Sequence, residues 1–325
     1  MIELFGTIGP SCTDFDILRQ MFAEGMTGMR LNLSHTMLKD NDRVLENMSE
    51  AAYREGITPK LLIDLRGPEL RIGDIKEPLV LNEGEKVLFG EDGIPVASYI
   101  IDKLKVNTKV TLDDGKITIV IEKEGERPEG RVLIGGVLFG RKSIYIEGTH
   151  INLPVLTDED KENLAVSHNY NVTGIMQPFV KNASQLIEVR KELKDLNSDN
   201  LRIYAKIECK EALSDLEAIC QNCDEIVIAR GDLGNAVSLY ELPVVQKRIS
   251  NTCRKCNRDF MVVTQMLESM KESPHPTRAE VNDIFNSVLD GARSLMVTGE
   301  TAVGKYPAEV IEYLAQVSAK ACAYK

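Results

Sequence analysis

Short apolar, β-branched runs alternate along this chain with amphipathic stretches of roughly 10 to 20 residues. The runs are IELFGTI, GMRLNLS, KLLIDL, GIMQPFV, RIYAKIE, DEIVIA, MVVTQM and SLMVTG. Strands that alternate with helices build a parallel sheet whose faces the helices cover. Eight such runs, with helices between most pairs, suit a sheet closed on itself better than an open one. The expected fold class is therefore α/β, a (β/α)8 TIM-type barrel. A last helical pattern from Pro307 to Ala321 would complete the eighth unit. The chain shows no internal repeat and no low-complexity tract.

One interval departs from the rhythm. Between Arg71 and Ile151 no convincing amphipathic helix occurs, and β-rich runs such as KVLFG, ITIVIEKE, RVLIGGVLFG and KSIYIEG follow one another across Gly and Asp turns. This predicts a small β-rich lid domain inserted after strand three. The expected organisation is residues 1–69 as the first part of the barrel, 70–150 as the insert and 151–325 as the second part. An insert at that point leaves the C-terminal face, where a lid over a reaction site would be useful.

Composition narrows the function classes. With 43% hydrophobic and 27% charged residues over 325 positions, the chain can bury an adequate core without staples. A formal net charge of −11 argues against nucleic acid or an acidic membrane as partner, while anionic small molecules stay open if cations cluster locally. No apolar run is long enough to span a bilayer, and MIELFGTIGPSC lacks the features of a secretory signal. Seven cysteines, an odd number, fit reduced thiols and a cytoplasmic location. Four of them form two CxxC pairs, Cys220 with Cys223 and Cys253 with Cys256, near the ends of the helices preceding strands six and seven. Each pair has zinc-ligand spacing; the alternative is that these thiols pack as small apolar side chains.

The informative polar residues follow the apolar runs, because in a barrel those positions converge on one pocket. They are Arg30, Asn32, Ser34 and His35 after strand two, and Asp64, Arg66 and Arg71 after strand three. Lys206 and Glu208 end strand five, Arg230-Gly231-Asp232 strand six, Thr264 and Gln265 strand seven, and Thr298-Gly299-Glu300-Thr301 strand eight. Carboxylates from separate strands can hold a hard divalent cation. Arginines and a lysine beside it make a site for a phosphorylated anion. If Gly231 and Asp232 open a helix, its free N–H groups favour a carboxylate or phosphate. Taken singly, Arg230 and Asp232 could form a structural ion pair, and Asp64 could be a helix cap.

The segments TIGPSC, GMRLNLSH, LLIDLRGPELRIG, DDGKI, AKIE, ARGDLG, TQMLESM, PTRAE, VLDGA and TGETAVGKYP resemble, in order, the motif set of the pyruvate kinases. That resemblance covers essentially the whole chain. It implies transfer of a phosphoryl group between phosphoenolpyruvate and ADP, giving pyruvate and ATP, with Mg2+ (or Mn2+) and K+ as cofactors. By the same resemblance Glu208 and Asp232 hold the divalent cation and Lys206 stabilises the migrating phosphoryl group. Arg30 contacts the phosphate, while the N–H groups of Gly231 and Asp232, with the Thr264 hydroxyl, hold the substrate carboxylate. Asn32, Ser34, Asp64 and the Leu65 carbonyl form the potassium site. His35, Arg71 and Lys142 handle nucleotide phosphates, and Thr264, Thr298 and Glu300 lie near the relay that protonates the enolate. Glu69 stands where potassium-dependent members carry Glu.

Departures from the family pattern are also visible. Asp64-Leu65-Arg66 replaces Asp-Thr-Lys, Cys209 follows Glu208 in place of Asn, and Gln177-Pro178-Phe179-Val180-Lys181 replaces Ala-Ser-Phe-Ile-Arg. None removes a proposed metal ligand or Lys206. The family's C-terminal regulatory domain and N-terminal helical arm are not seen in this sequence, from which a homodimer with hyperbolic kinetics and no sugar-bisphosphate response is expected. Two other readings are a weakly catalytic sensor that binds phosphoenolpyruvate or nucleotide, and a metal-dependent 2-oxo acid lyase barrel. The insert and Lys206 speak against the lyase.

Overall fold

Eight parallel strands close into a barrel in the structure, a computed structural model that describes residues 2–34, 36–68, 70–113, 115–149 and 153–324. The strands are β1 (Glu3–Thr7), β2 (Gly28–Asn32), β3 (Lys60–Asp64), β4 (Val172–Gln177), β5 (Arg202–Ile207), β6 (Glu225–Ala229), β7 (Asp259–Val263) and β8 (Ser294–Met296). Each pairs with its sequence neighbours, and β1 closes the ring on β8 through Glu3–Ser294, Leu4–Leu295 and Phe5–Met296. The fold is the α/β barrel that the alternation predicts.

Side chains two apart on a strand share a face, and this alone sorts the interior into layers. The middle is a plug of Phe5, Leu62, Met176, Tyr204, Val227, Met261 and Met296, so the barrel is a packed core and not a pore. One step of two toward the strands' C-terminal ends brings Thr7, Asp64 and Lys206 to the inner face. One step the other way brings Glu3, Lys60, Arg202, Glu225, Asp259 and Ser294 to the floor. The alternate residues point outward and pack against the helices, among them Leu61, Ile63, Ile203, Ile226 and Val262.

The helices begin where the sequence supplies caps. Asp14 accepts from the Asp16 N–H at 2.9 Å ahead of Phe15–Ala23. Thr157 with Asp160, and Thr277 with Glu280, form reciprocal capping boxes. The last helix runs Pro307–Tyr324, a few residues beyond its expected end. Among the described residues no helix is long and apolar enough to cross a membrane.

The chain divides into two compact units, Met1–Pro68 with Val155–Lys325, and Glu69–Pro154. The second has its own apolar core, including Ile72, Phe89, Ile100, Val110, Ile119 and Val132. Its five-stranded antiparallel sheet runs in the spatial order Ile144–Ile146, Lys109–Leu112, Ile117–Lys123, Glu129–Ile134, Lys86–Leu88. Leu79–Leu81 pairs with Gly136–Leu138 in a separate ribbon. A single helical turn, Ser98–Ile101, interrupts a stretch read from sequence as free of convincing amphipathic helix.

Candidate active site

Four charged side chains form a chain across the C-terminal end of the barrel. The Arg30 Nε and Nη2 both donate to Asp64 Oδ2, at 2.8 and 2.6 Å. Lys206 Nζ lies 3.4 Å from Asp64 Oδ1 and 2.8 Å from Glu208 Oε1. The other Glu208 oxygen accepts the Phe179 N–H at 2.8 Å. Asp64 is therefore not a helix cap; it sits in the barrel mouth between two cations. Burial alone would raise its carboxyl, but the charges of Lys206 and Arg30 overcome this and hold it below its ordinary value. Lys206 mirrors it: burial opposes the ammonium, and the carboxylates of Asp64 and Glu208 prevail and hold its pKa above the usual lysine value. Each charge survives burial because it has an opposite neighbour, and removing one member would strand another, at about 3–5 kcal/mol.

The next strand ends carry a strained turn. Thr264 and Gln265 have φ of 80° and 55°, unusual for any side-chain-bearing residue and a real outlier for the β-branched Thr. Arg230 holds them there: its Nε and Nη2 donate to the Thr264 carbonyl at 3.0 and 2.7 Å, and Nη2 reaches the Gln265 carbonyl at 3.1 Å. Its remaining arm pairs with Asp283 Oδ2 at 2.6 Å. Arg230 thus clamps the β7 turn from the start of the helix Arg230–Ala236. Gly231 and Asp232 lie in that helix's first turn, where N–H groups lack intrahelical partners. A Cβ on Gly231 would meet Thr264 Cγ2 at 3.2 Å, which places the Thr264 side chain directly over Gly231.

At β8, Glu300 is fully buried and accepts three hydrogen bonds. They come from the Thr298 N–H at 2.7 Å, the Thr298 hydroxyl at 3.2 Å and the Leu267 N–H at 3.2 Å. Glu300 therefore ties the TGET turn to the turn after β7.

Asn32 and Asp64 are register partners on β2 and β3. Asn32 Oδ1 accepts the Ser34 N–H at 3.1 Å, and the Leu65 N–H donates to the Met176 carbonyl at 3.1 Å. His35 and Glu69 lie outside the described residues. Arg71 and Lys142 belong to the second unit, where Arg71 Nη1 donates to the Arg141 carbonyl at 2.8 Å and Lys142 Nζ lies 2.8 Å from Asp113 Oδ1.

Several supporting contacts escaped sequence reasoning. Asp160, fully buried, accepts the N–H groups of Arg66 at 2.8 Å and Gly67 at 3.0 Å and so fixes the turn after β3. Thr301 accepts the Thr7 N–H at 2.9 Å and donates to the Thr7 carbonyl at 3.1 Å, joining β8 to β1. Thr7 Oγ1 in turn lies 3.4 Å from Arg30 Nη1. Glu280 of PTRAE accepts from the Ser269 N–H at 2.8 Å and its hydroxyl at 2.5 Å, so that motif braces TQMLESM. A capping box reads from sequence; a bond to a loop eleven residues earlier does not.

Of the two readings of the CxxC pairs, zinc finds no support in the structure. Among the described residues no group of three or more His, Cys, Asp or Glu side chains is arranged to hold a metal. The same fact bears on the divalent site. Glu208 and Asp232, at the ends of strands paired through Ile207 and Ile228, supply two hard oxygen donors. A Mg2+ ion commonly takes one or two carboxylates and completes its shell with substrate oxygens and water, so this donor set fits. A groove of about 900 Å³ lies elsewhere, on the barrel's flank between helices Leu216–Asn222 and Leu242–Lys255, and contains none of the strand-end residues.

Comparison with known proteins agrees with this fold. A family model described as pyruvate kinase, barrel domain, matches residues 2–311. The chain is 37% identical over 324 residues to a pyruvate kinase of Aeropyrum pernix, covering 98% of this chain and 70% of that one. It is 34% identical to a pyruvate kinase of Geobacillus stearothermophilus, covering 96% of this chain and 55% of the relative. The chain thus spans little more than half the length of several relatives it matches. The crystal structure of a pyruvate kinase from Cryptosporidium parvum superposes with a TM-score of 0.88 at 30% identity, covering 98% of this chain and 69% of that one.

Proposed function

The chain belongs to the pyruvate kinase family, and from that premise we propose that it transfers the phosphoryl group of phosphoenolpyruvate to ADP, giving pyruvate and ATP. The observation that carries the reading is the buried row Arg30–Asp64–Lys206–Glu208. A transferring phosphoryl group is stabilised mainly by placed cations and orientation. This row holds two cations at fixed spacing inside a barrel mouth, and each keeps its charge through its carboxylate neighbours.

Arg30 orients the phosphate of phosphoenolpyruvate, anchored by two donors on Asp64. Lys206 acts on the charge that spreads over the phosphoryl oxygens as the bond to the enol oxygen breaks. The first-turn N–H groups of Gly231 and Asp232 receive the substrate carboxylate, and the Thr264 hydroxyl above Gly231 closes that seat. The Arg230 clamp on the Thr264 carbonyl holds that residue's backbone in place before substrate arrives, which lowers the cost of orienting it. Enolpyruvate left after transfer needs a proton on carbon. Thr264, Thr298 and Glu300 line the route by which that proton arrives from solvent: the Thr298 hydroxyl, which donates to Glu300 at 3.2 Å, gives its proton to the carbon and regains one from water.

Glu208 and Asp232 would hold Mg2+ or Mn2+. When bound, it supplies positive charge against the phosphoryl oxygens. Asn32, Ser34, Asp64 and the Leu65 carbonyl would hold K+, an oxygen-only set in which Asn32 and Asp64 are register partners. His35, Arg71 and Lys142 are assigned to the nucleotide phosphates, and a cytoplasmic homodimer is the proposed assembly and setting.

The direct test is pyruvate formation from phosphoenolpyruvate and ADP by purified protein, with Mg2+ and K+ supplied or withheld in turn. Turnover that needs both ions is expected. Phosphoenolpyruvate binding without any pyruvate would favour the sensor reading instead.

A further inference from the structure

The two CxxC pairs do gather at one place, at the lower ends of helices Leu216–Asn222 and Leu242–Lys255. Cys220 Sγ and Cys253 Sγ are 3.9 Å apart, and both side chains are fully buried. A disulfide needs about 2.0 Å between sulfurs. The remaining gap of ~2 Å is within reach of a modest χ1 adjustment in two unbranched side chains. Cys223 points its thiol at the Cys220 carbonyl at 4.0 Å, and the half-exposed Cys256 caps the helix that carries Cys253. Arg258 donates to the Cys220 carbonyl at 2.6 Å and so keeps a guanidinium beside the cluster.

We propose that Cys220 and Cys253 are a modification site: a thiol pair that a hydroperoxide converts to an intramolecular disulfide. The roles divide by geometry. Either sulfur can donate to the other at this distance, and the Arg258 guanidinium held at the Cys220 carbonyl favours the thiolate on Cys220 with the proton on Cys253. The acidities agree: hydrogen bonding from Cys253 pulls Cys220 below the usual thiol value, while burial pushes Cys223 up to about 12. The Cys220 thiolate attacks one peroxide oxygen, the O–O bond breaks, and the other oxygen leaves as alkoxide or hydroxide and takes up the proton Cys220 released on ionising, giving Cys220 sulfenic acid and alcohol or water. The Cys253 sulfur then attacks the Cys220 sulfur; the S–S bond forms, the S–O bond breaks, and the departing hydroxide takes the Cys253 proton as water. Two thiols lose two electrons and two protons, and the peroxide is reduced. Entry is at the half-exposed Cys256 helix end, since helix termini fray most readily.

The link has a structural consequence. It joins the helices on either side of β6 and so closes a loop holding β6 and the whole Arg230–Ala236 turn. Closing a loop of that length removes unfolded-state entropy and raises the unfolding temperature.

The test is independent of catalysis. Protein treated with hydrogen peroxide is alkylated, digested without reductant and mapped by mass spectrometry. The expected product is one Cys220–Cys253 cross-linked peptide, lighter by two hydrogens, lost on adding dithiothreitol, with a thermal midpoint raised by roughly 5 °C. Cys253→Ser should lose both the link and the shift, and it should leave sulfenic acid at Cys220 trappable by dimedone. If that variant folds poorly, the wild-type map alone decides. Free Cys220 and Cys253 after oxidation, a Cys220–Cys256 link in their place, or dimers joined only through the exposed Cys322 would each overturn the proposal.

Discussion

The two ends of this barrel are built by the same two-residue alternation, yet they treat buried charge in opposite ways. At the C-terminal end Asp64 has Arg30 at 2.6 Å and Lys206 at 3.4 Å, and its carboxyl is held below the ordinary value. At the floor Glu225 is equally buried but has a Ser294 hydroxyl at 2.6 Å and only a distant Arg202, at 3.5 Å. Burial therefore dominates there, and the Glu225 carboxyl is pushed up to about 7. Glu3 and Asp259 add repulsion from the same layer. Burial does not by itself decide ionisation; the count and distance of opposite charges does. The mouth holds its charges ready for an anionic substrate, whereas the floor tolerates one that is half lost at neutrality.

The contrast can be broken most forcefully at Lys206. Lys206→Met should lower kcat about a thousandfold with KM for phosphoenolpyruvate changed by less than about threefold, because the ammonium acts chiefly on charge that develops in transfer. Steady-state kinetics would show it, and an intact kcat with a weakened KM would reduce Lys206 to a binding group. Next comes the clamp. Arg230→Met should release the Thr264 turn and lower kcat/KM roughly a hundredfold while leaving Lys206 in place. Near-normal turnover would mean the positive φ is held without the guanidinium.

The floor should respond in stability, not rate. Glu225 has a folded pKa raised above its unfolded value. Its favourable contribution is thus complete below about pH 4.5 and lost as pH rises toward 7. Glu225→Gln keeps an acceptor for Ser294 and should stabilise the protein by on the order of 3 kcal/mol at pH 8, and by little at pH 4.5. Thermal melts of both proteins across that range would show the gap opening with pH; a constant gap would place the cause in packing. Asp64 has the reverse sign, since its contribution is present above the unfolded carboxyl value and lost in acid. The smallest effect belongs to the exposed pair Arg127–Asp92, where Arg127→Ala should cost under about 1 kcal/mol in denaturant unfolding.

The barrel was legible because each strand is a β-branched run long enough to be seen between helices. The second unit was less so. Leu79–Leu81 and Ile144–Ile146 are short, and each pairs with a strand distant in sequence, so no local pattern marks them. RVLIGGVLFG reads as one run, but the chain changes ribbon at Gly135, where a Cβ would collide with the Leu81 carbonyl at 2.4 Å. Within the site, strand-end position sufficed to nominate Arg30, Asp64, Lys206 and Glu208. It could not say that Arg230 serves Thr264 and Asp283, because those partners come from other elements of the fold. Asp160, and the part Thr301 plays at Thr7, were invisible for the same reason: their work is done across the chain, on backbone groups.

The second unit also bears on how such a barrel can assemble. β3 and β4 are hydrogen-bonded neighbours, yet roughly a hundred residues of chain separate them. A strand pairing that waited on so long a flexible loop would form late and slowly. The intervening unit ties its own two ends together, with the Ile72 N–H on the Lys142 carbonyl and the Ile144 N–H on the Leu70 carbonyl, both at 2.9 Å. Once those bonds exist, the effective loop between β3 and β4 shrinks to a few tens of residues, which lowers the closure cost by about 1 kcal/mol.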